Sequence, residues 1–279
     1  MHAIVENHPV AAADARNAGW ITPGRRLQKT TARAMMRHQM LHHGDRVLLG
    51  LSGGKDSLSL LHILRHVQRR APIDFDLAAV TVDPMVPGFD PGPMSDYLAS
   101  LGVRHYRVRE DIVGLAADHM RGDSYCSFCS RLKRGLIYSL ARDKGFNVLA
   151  LGQHLDDLAE SFLMSAFHGG KLNTMKAHYL NDASDVRIIR PLVDVRESAL
   201  ADFAGRHDLP VIADNCPACF AKPTQREHAK ALLAAEESGN GQLFHSLKSA
   251  MAPLVADGSE RAIAHARANA ASRPPATFR

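Results

Sequence analysis

Six residues between two apolar stretches have the composition of an anion-binding loop. Their sequence is SGGKDS (52–57), preceded by DRVLLGL and followed by LSLLHILRHV. The first apolar stretch predicts a strand and the second a helix. Backbone N–H groups in such a turn, together with the positive end of a helix, can cradle a phosphate, and Lys55 could neutralise its charge. The other residues predicted to line this cradle are Ser52, Gly53, Gly54 and Ser57.

The carboxylate in this loop limits the kind of phosphate chemistry. The GxxxxGK[ST] loop does not match, because it needs glycine where Leu49 stands and Ser or Thr where Asp56 stands. A carboxylate beside phosphates is repulsive unless a divalent cation lies between them. Asp56 therefore predicts a Mg²⁺ ion, and the alternative is a glycine-rich turn that only caps a helix.

A second polar group follows another predicted strand, in LALGQHLDDLAESFLM (149–164). His154, Asp156 and Asp157 stand at the start of the helix predicted there. Acidic residues in a first turn also suit the helix dipole without any further function. If the sheet is doubly wound, however, this strand end faces the same crevice as the first loop. Asp156 and Asp157 could then hold Mg²⁺, and His154 could contact phosphate.

All four cysteines occur in CxxC spacing. YCSFC contains Cys126 and Cys129, just before a predicted helix, and NCPAC contains Cys216 and Cys219. A structural zinc site fits four thiolates, a dithiol redox pair fits one CxxC but not both, and an iron–sulfur cluster fits both pairs. The residues alone leave these three interpretations open.

Alternating strand and helix patterns predict the elements that position these groups. Strands are predicted at 46–51, 76–83, 104–108, 147–152 and 186–192, and helices at about 25–43, 94–101, 128–144 and 155–167. Short apolar strands separated by amphipathic helices indicate an α/β fold, a doubly wound parallel sheet covered on both faces. The predicted divisions are a flexible lead (1–24), a nucleotide-binding domain (25–195), a helical C-terminal region (196–258) and a disordered tail (259–279).

Composition and charge indicate the class of protein, its location in the cell and its possible partners. The 279 residues are 46% apolar and 23% charged, with a net charge of +5, as in ordinary globular proteins. No secretory signal and no run of roughly 18 apolar residues is found, which predicts a cytoplasmic protein with no membrane partner and with reduced thiols. Basic residues cluster in three places, a pattern that fits a nucleic-acid partner and equally a solvated helix face. They are Arg25, Arg26, Lys29, Arg33, Arg37 and Arg46, then Arg65, Arg69 and Arg70, then RLKR at 131–134.

The motifs together resemble a known family. SGGxDS after a first strand is similar to the PP-loop ATP pyrophosphatases. The chain from about 25 to 250 resembles the tRNA 2-thiocytidine synthetase family in the order and spacing of its motifs. These are LSGGKDS, APIDFDLAAVTVD, PGF, CSFCSRLKRGLIY, LALGQHLDD, FHGGKLNTM, IIRPL and CPAC. One difference is Gln153, which stands where the family commonly has histidine.

The resemblance implies a PP-loop fold and ATP- and Mg²⁺-dependent thiolation of a tRNA cytidine, at anticodon-loop position 32 in the family. ATP would activate the carbon-2 oxygen as an adenylate, sulfur would attack that carbon, and AMP would leave. A 4Fe-4S cluster would be held by Cys126, Cys129 and Cys219, with a cysteine desulfurase as the sulfur source and a homodimer as the assembly. Asp83 would lie near the adenine, or would simply cap the turn that ends its strand.

Two alternatives come from other classes of protein. One is a nucleic-acid-binding module with a structural zinc site and a vestigial nucleotide loop. The other is a PP-loop ligase that activates a carboxylate to form an amide. Basic residues of the N-terminal helix, the RLKR cluster and Lys171 are the groups predicted to contact tRNA phosphates in the thiolation hypothesis.

Overall fold

A computed structural model describes residues 3–7, 20–119, 125–212 and 224–271 of the chain. Strands β1 to β7 span Ala3–Asn7, Asp45–Gly50, Phe75–Asp83, Arg104–Arg109, Val148–Ala150, His178–Leu180 and Arg187–Ile189. Helices α1 to α10 span Arg25–Arg37, Lys55–Arg70, Gly92–Ser100, Ile112–His119, Tyr125–Lys144, Leu155–Gly169, Glu197–Arg206, Gln225–Gly239, Leu243–Ala256 and Ser259–Ala271.

The described strands form one seven-stranded sheet with the order β1-β4-β3-β2-β5-β7-β6. The five central strands are parallel, as predicted. The two outer strands, β1 and β6, are antiparallel to their neighbours, so the predicted doubly wound parallel sheet carries an antiparallel strand at each edge. Edge strands pair on one side only and need no continuous apolar run. The short segments AIVEN and HYL therefore gave no strand signal, and β1 lies within the predicted lead.

Alternate residues of the central strands enter two cores, one on each face of the sheet. Val47 and Leu49 belong to the first core, which also receives helices α1, α2, α3 and α6 to α9. Leu48, between them, belongs to the second core, which receives α4 and α5. Burial on both faces explains why these strands are apolar throughout and could be recognised in the sequence. Helices α7 to α9, which follow residue 196, pack on the same core as α2.

Two helix boundaries differ from the sequence prediction. Helix α5 begins at Tyr125 and not near 128, so Cys126 and Cys129 lie within its first two turns instead of before it. Residues 125–134 contain no glycine or proline, so nothing in this segment prevents the helix from starting at Tyr125, ahead of the predicted position near 128. Helix α10 occupies 259–271, where a disordered tail was predicted, because Ala262 and Ala266 are buried as it packs on β6. Residues 272–279 lie outside the described residues.

The position of β2 determines where a site can form. Its neighbours are β3 on one side and β5 on the other. From β2 the strand order runs outward through β3 and β4, and the chain then returns to β5 on the other side of β2. Loops that follow two strands at such a reversal border a common crevice. The loops that follow β2 and β5 are the two polar segments selected in the sequence. Across the helices in these described ranges, none combines the length and apolar character that crossing a bilayer requires.

Candidate active site

The loop between β2 and α2 is shaped by its own hydroxyl groups. Ser57 Oγ accepts from Ser52 N at 3.2 Å and donates to the Gly54 carbonyl at 3.0 Å, while Ser52 Oγ accepts from Gly54 N at 3.3 Å. Gly54 is the N-cap of α2 and provides no side-chain cap. The first N–H groups of α2 therefore point into the crevice without a capping side chain, which is the arrangement that binds anions.

Two glycines allow other segments to approach this loop closely. Gly53 has φ of +88°, and an added Cβ would lie 3.1 Å from Ile212, whose N–H donates to the Gly53 carbonyl at 2.9 Å. Gly152, after β5, lies so close to α2 that an added Cβ would be 3.2 Å from both the N and the Cα of Ser57. The β5 loop and the phosphate loop are thus in direct backbone contact, as the doubly wound topology predicts.

Replacing Gly152 with alanine is expected to destabilise the protein by about 1 kcal/mol, because the new methyl group overpacks against backbone that cannot rotate away. The change should also weaken ATP binding, since it separates the two loops. Urea unfolding and titration calorimetry with ATP measure these effects.

The matched control is Gly205→Ala in α7, where an added Cβ has nothing within 4 Å. Alanine in a helix should stabilise the protein by about 0.5–1 kcal/mol at such a position. Equal and small effects of both substitutions would show that the contact between the two loops is not tight.

Asp56 has one buried side-chain oxygen atom without a hydrogen-bond partner. Its Oδ1 is buried and has no hydrogen-bond partner, whereas Oδ2 lies 3.3 Å from Lys55 Nζ and 3.7 Å from His154 Nε2. A buried carboxylate oxygen without a partner is costly unless a cation or water satisfies it. The donor set fits Mg²⁺, which usually takes one or two carboxylates together with phosphate oxygens. The surroundings of Asp56 are thus compatible with the role of metal ligand that the sequence predicts for it.

His154 joins the two predicted segments. It is the N-cap of α6 and forms a capping box with Asp157: its backbone N–H donates to Asp157 Oδ2 at 3.1 Å, and its Nδ1 accepts from Asp157 N at 3.4 Å. Its Nε2 faces Asp56 and, at 3.4 Å, Asp157 Oδ2. Burial alone would lower the pKa of His154, but the contact of its Nε2 with Asp56 and the charges of Asp157, Asp56 and Asp156 raise it above the ordinary value.

The two aspartates of α6 have different surroundings. Asp156 Oδ1 accepts from Arg196 Nε at 3.1 Å and its Oδ2 accepts from Glu197 N at 2.8 Å, so both oxygens hold the segment that enters α7. Asp157 Oδ2 lies on the side of His154, and its Oδ1 accepts from Arg226 at 3.0 Å. Asp157 therefore faces Asp56 across His154 Nε2, whereas Asp156 lies 3.7 Å from His154 Nδ1 on the other side of the ring and holds the segment that enters α7.

Several charged residues that contact Lys55, Asp156 or Asp157 were not selected as site residues from the sequence. Lys55 Nζ donates to Glu197 Oε1 at 2.9 Å, and Lys230 Nζ donates to Glu197 Oε2 at 2.7 Å. Arg226 contacts Glu160 at 3.1 Å as well as Asp157. The missed residues are Glu160, Arg196, Glu197, Arg226 and Lys230. Their only sequence signal was charge in helical segments, which is ordinary for a solvated helix face.

Two other sequence-selected residues form contacts of their own. Asp83 Oδ1 accepts from Met85 N at 2.9 Å, and its Oδ2 lies 3.4 Å from Arg109 Nε. This is the turn cap that the sequence offered as the alternative to an adenine contact. Gln153 accepts from Arg190 Nε at 2.9 Å, so the residue that departs from the family motif has a partner on the link after β7.

Only part of the cysteine arrangement can be described. Cys129 is partly buried in α5 beside the second core, and Cys126 lies one turn before it in the same helix. Cys216 and Cys219 lie outside the described residues. In the described part of the chain, no group of three or more His, Cys, Asp or Glu side chains has metal-binding geometry.

Comparisons with known proteins agree with this arrangement. A family model described as a PP-loop domain matches residues 24–221. The chain is similar to the tRNA-cytidine(32) 2-sulfurtransferase of Geobacter sulfurreducens, with 40% identity over 228 residues, 81% of this chain and 89% of the relative. Its similarity to the same enzyme of Pelobacter propionicus is 42% over 210 residues, 75% and 78% of the two chains.

Among solved structures, the U34-tRNA thiolase NcsA from Methanococcus maripaludis with its [4Fe-4S] cluster has a similar fold. The TM-score is 0.68 at 22% sequence identity, and the match covers 82% of this chain and 78% of that one. At this level of identity the likeness concerns the fold, and it confirms the predicted PP-loop architecture.

Proposed function

The chain belongs to the tRNA-cytidine(32) 2-sulfurtransferase family of PP-loop proteins, and on this premise we propose that it uses ATP to replace the carbon-2 oxygen of a tRNA cytidine with sulfur. The observation that carries the proposal is the combination of 40% identity across 89% of a curated relative with a phosphate loop in contact with a His–Asp segment. The predicted substrate is cytidine 32 of the anticodon loop.

The residues of the crevice support the first half of this reaction. The N-terminus of α2 and the Lys55 ammonium would bind the phosphates of ATP. The carbon-2 oxygen would attack the α-phosphorus, pyrophosphate would leave, and sulfur would then displace AMP at carbon 2. Asp56 and Asp157 would hold the Mg²⁺ that offsets the charge of the phosphates, and His154 would keep these two carboxylates together. Asp156 would position the link to α7, and Asp83 would support the neighbouring turn.

We propose that Cys126, Cys129 and Cys219 hold a 4Fe-4S cluster, which when bound supplies the sulfur-transfer chemistry. Cys126 and Cys129 are three residues apart in one helix, hence on one side of it. They lie at its positive end, where thiolates are favoured. This donor set fits two ligands of a cluster. The sulfur source would be a cysteine desulfurase, the assembly a homodimer and the location the cytoplasm, all carried over from the family resemblance.

The direct test of the reaction is the composition of tRNA. Mass spectrometry of tRNA nucleosides from a deletion strain should show the loss of 2-thiocytidine, and the cloned gene should restore it. Unchanged 2-thiocytidine would contradict the proposal. Anaerobically purified protein should absorb broadly in the visible range and bleach in air, whereas colourless protein with tightly bound zinc would favour a nucleic-acid-binding module.

Helix α1 offers an RNA-binding face. Arg25, Arg26, Lys29 and Arg33 are exposed on it, and among the ion pairs of the described residues only Arg37 on this helix has an acidic partner, Asp194. By contrast, Arg131 and Arg134 of the RLKR cluster bond to their own helix, at Ser127 Oγ and the Ser130 carbonyl. We propose α1 as the main phosphate contact, with Lys171 and the RLKR cluster as secondary ones.

Replacing Arg25, Arg26 and Lys29 together with alanine should weaken tRNA binding and flatten its salt dependence. Each neutralised phosphate releases counterions, so three lost contacts should reduce the slope of log K against log salt by about 2–3. Filter binding at several salt concentrations measures it.

Arg206→Ala, an exposed arginine 3.7 Å from Asp202, is the control and should keep the wild-type slope. An unchanged slope in the triple variant would mean that α1 is an ordinary solvated face.

A further inference from the structure

The ammonium group of Lys55 is held by two carboxylates. It donates to Glu197 at 2.9 Å and to Asp56 at 3.3 Å. An ammonium has three N–H donors, so two contacts of this kind fix the direction of the third. Burial alone would lower the pKa of Lys55, but the hydrogen bonds and charges of Glu197 and Asp56 raise it. The lysine therefore stays charged.

Glu197 is itself fixed from two other sides. It is the first residue of α7, and its backbone N–H donates to Asp156 Oδ2 at 2.8 Å. Its second carboxylate oxygen accepts from Lys230 of α8 at 2.7 Å. Burial would raise the pKa of Glu197, but Lys230 and Lys55 lower it to about 2. A single ionised carboxylate thus connects the phosphate loop with two helices that lie far from it in sequence.

We propose that Glu197 is a positioning residue for Lys55: it directs the remaining N–H donor of the ammonium toward the phosphates of ATP and links that lysine to α8. The proposal rests on the proposed use of ATP and specifies how its phosphate-binding lysine is oriented. Glu197 need not touch the nucleotide, because it acts through Lys55.

The geometry indicates why a glutamate is needed at this position. Both of its oxygens accept hydrogen bonds, one from each lysine. Glutamine has the same shape but only one acceptor oxygen, and its NH₂ group cannot accept from a lysine. Glu197→Gln would therefore remove the negative charge that attracts both lysines and would leave a single acceptor for which they compete. Since the side chain is 25% exposed, the substitution should be tolerated by the fold.

The test is a double-mutant cycle on the binding of a non-hydrolysable ATP analogue with Mg²⁺, measured by calorimetry on the full chain. Glu197→Gln should raise the Kd roughly fivefold, because the ligand must then immobilise a rotamer-rich lysine. Removing a negative charge near phosphates would by itself lower the Kd, so weaker binding isolates the loss of positioning. In a Lys55→Met background, Glu197→Gln should no longer raise the Kd, because no ammonium remains to be positioned.

Two more variants complete the design. Lys230→Met, an exposed position, should raise the Kd by roughly twofold, because Glu197 keeps its contact with Lys55 but loses one support. Lys248→Met is the control: this lysine pairs with Asp194 at 3.1 Å and should leave the Kd unchanged. Tighter binding in Glu197→Gln, or an equal effect in the presence and absence of the Lys55 ammonium, would overturn the proposal.

The readout separates this inference from the proposed function. Analogue binding needs no tRNA, so the cycle keeps its meaning even if cytidine is not the modified base. If the wild-type protein fails to bind the analogue, the proposed use of ATP fails. If it binds and the two substitutions are additive, only the role of Glu197 fails.

Discussion

Replacing Asp56 with asparagine should lower the rate of pyrophosphate release from ATP by roughly two to three orders of magnitude. The buried Oδ1 without a partner is the feature that carries this expectation. Asparagine has nearly the same size but no charge, so the phosphate loop keeps its glycines and hydroxyl contacts while the cation loses its ligand. The measurement is pyrophosphate release with tRNA present, over a range of Mg²⁺ concentrations.

The control for this variant is Asp202→Asn on α7. Asp202 is 69% exposed, and its described ion pair is with Arg206 on the same helix. It should retain the wild-type rate, and both variants should unfold at similar urea concentrations. A wild-type rate in Asp56→Asn at saturating Mg²⁺ would remove this carboxylate from the mechanism.

The second large effect should separate the two cysteines of the downstream CxxC pair. Cys219→Ala should lose both the iron and all thiolation, whereas Cys216→Ala should keep the cluster absorption and at least part of the activity. The family correspondence selects Cys219, through the proline four residues beyond it in CFAKP. Pro217 lies between the cysteines and restricts the backbone, which could direct one thiol toward the cluster and the other away from it.

Iron analysis, visible absorption under anaerobic conditions and 2-thiocytidine in tRNA are the three measurements for this pair. Cys129→Ala gives the reference for loss of a ligand, because Cys129, in α5 with Cys126, is itself one of the three proposed cluster ligands. Equal loss of iron in Cys216→Ala and Cys219→Ala would indicate four protein thiolates. The proposal that three cysteines hold the cluster would then be wrong.

The sequence was sufficient for the centre of the fold and insufficient for its edges. Strands such as β2 and β3 are buried on both faces, and their apolar runs are visible without a structure. The edge strand β6 has three residues and gains its place by pairing with β7. Such a segment depends on tertiary contacts that no local pattern records.

The candidate site divides in the same way. Topology alone predicted that SGGKDS and GQHLDD would meet, and Gly152 and His154 confirm that they do. The separation of roles between Asp156 and Asp157 could not be predicted, because it depends on Arg196 and Arg226, which come from distant segments. Glu197 is 142 residues from Lys55, and an ion pair over that distance has no signature in one sequence.

The ion pairs that Arg226 and Lys230 of α8 form with the site limit where this domain can be joined to a different C-terminal segment. The family model ends at residue 221, before the helix that supplies Arg226 and Lys230. A module transplanted at that boundary would leave Glu160, whose side chain is 5% exposed, without its guanidinium partner, and an unpaired buried charge costs several kcal/mol, about 3–5. Recombination that joins this domain to a new C-terminal extension must therefore bring a replacement for α8. The unit that keeps its buried charges paired is therefore longer than the region that the family model matches.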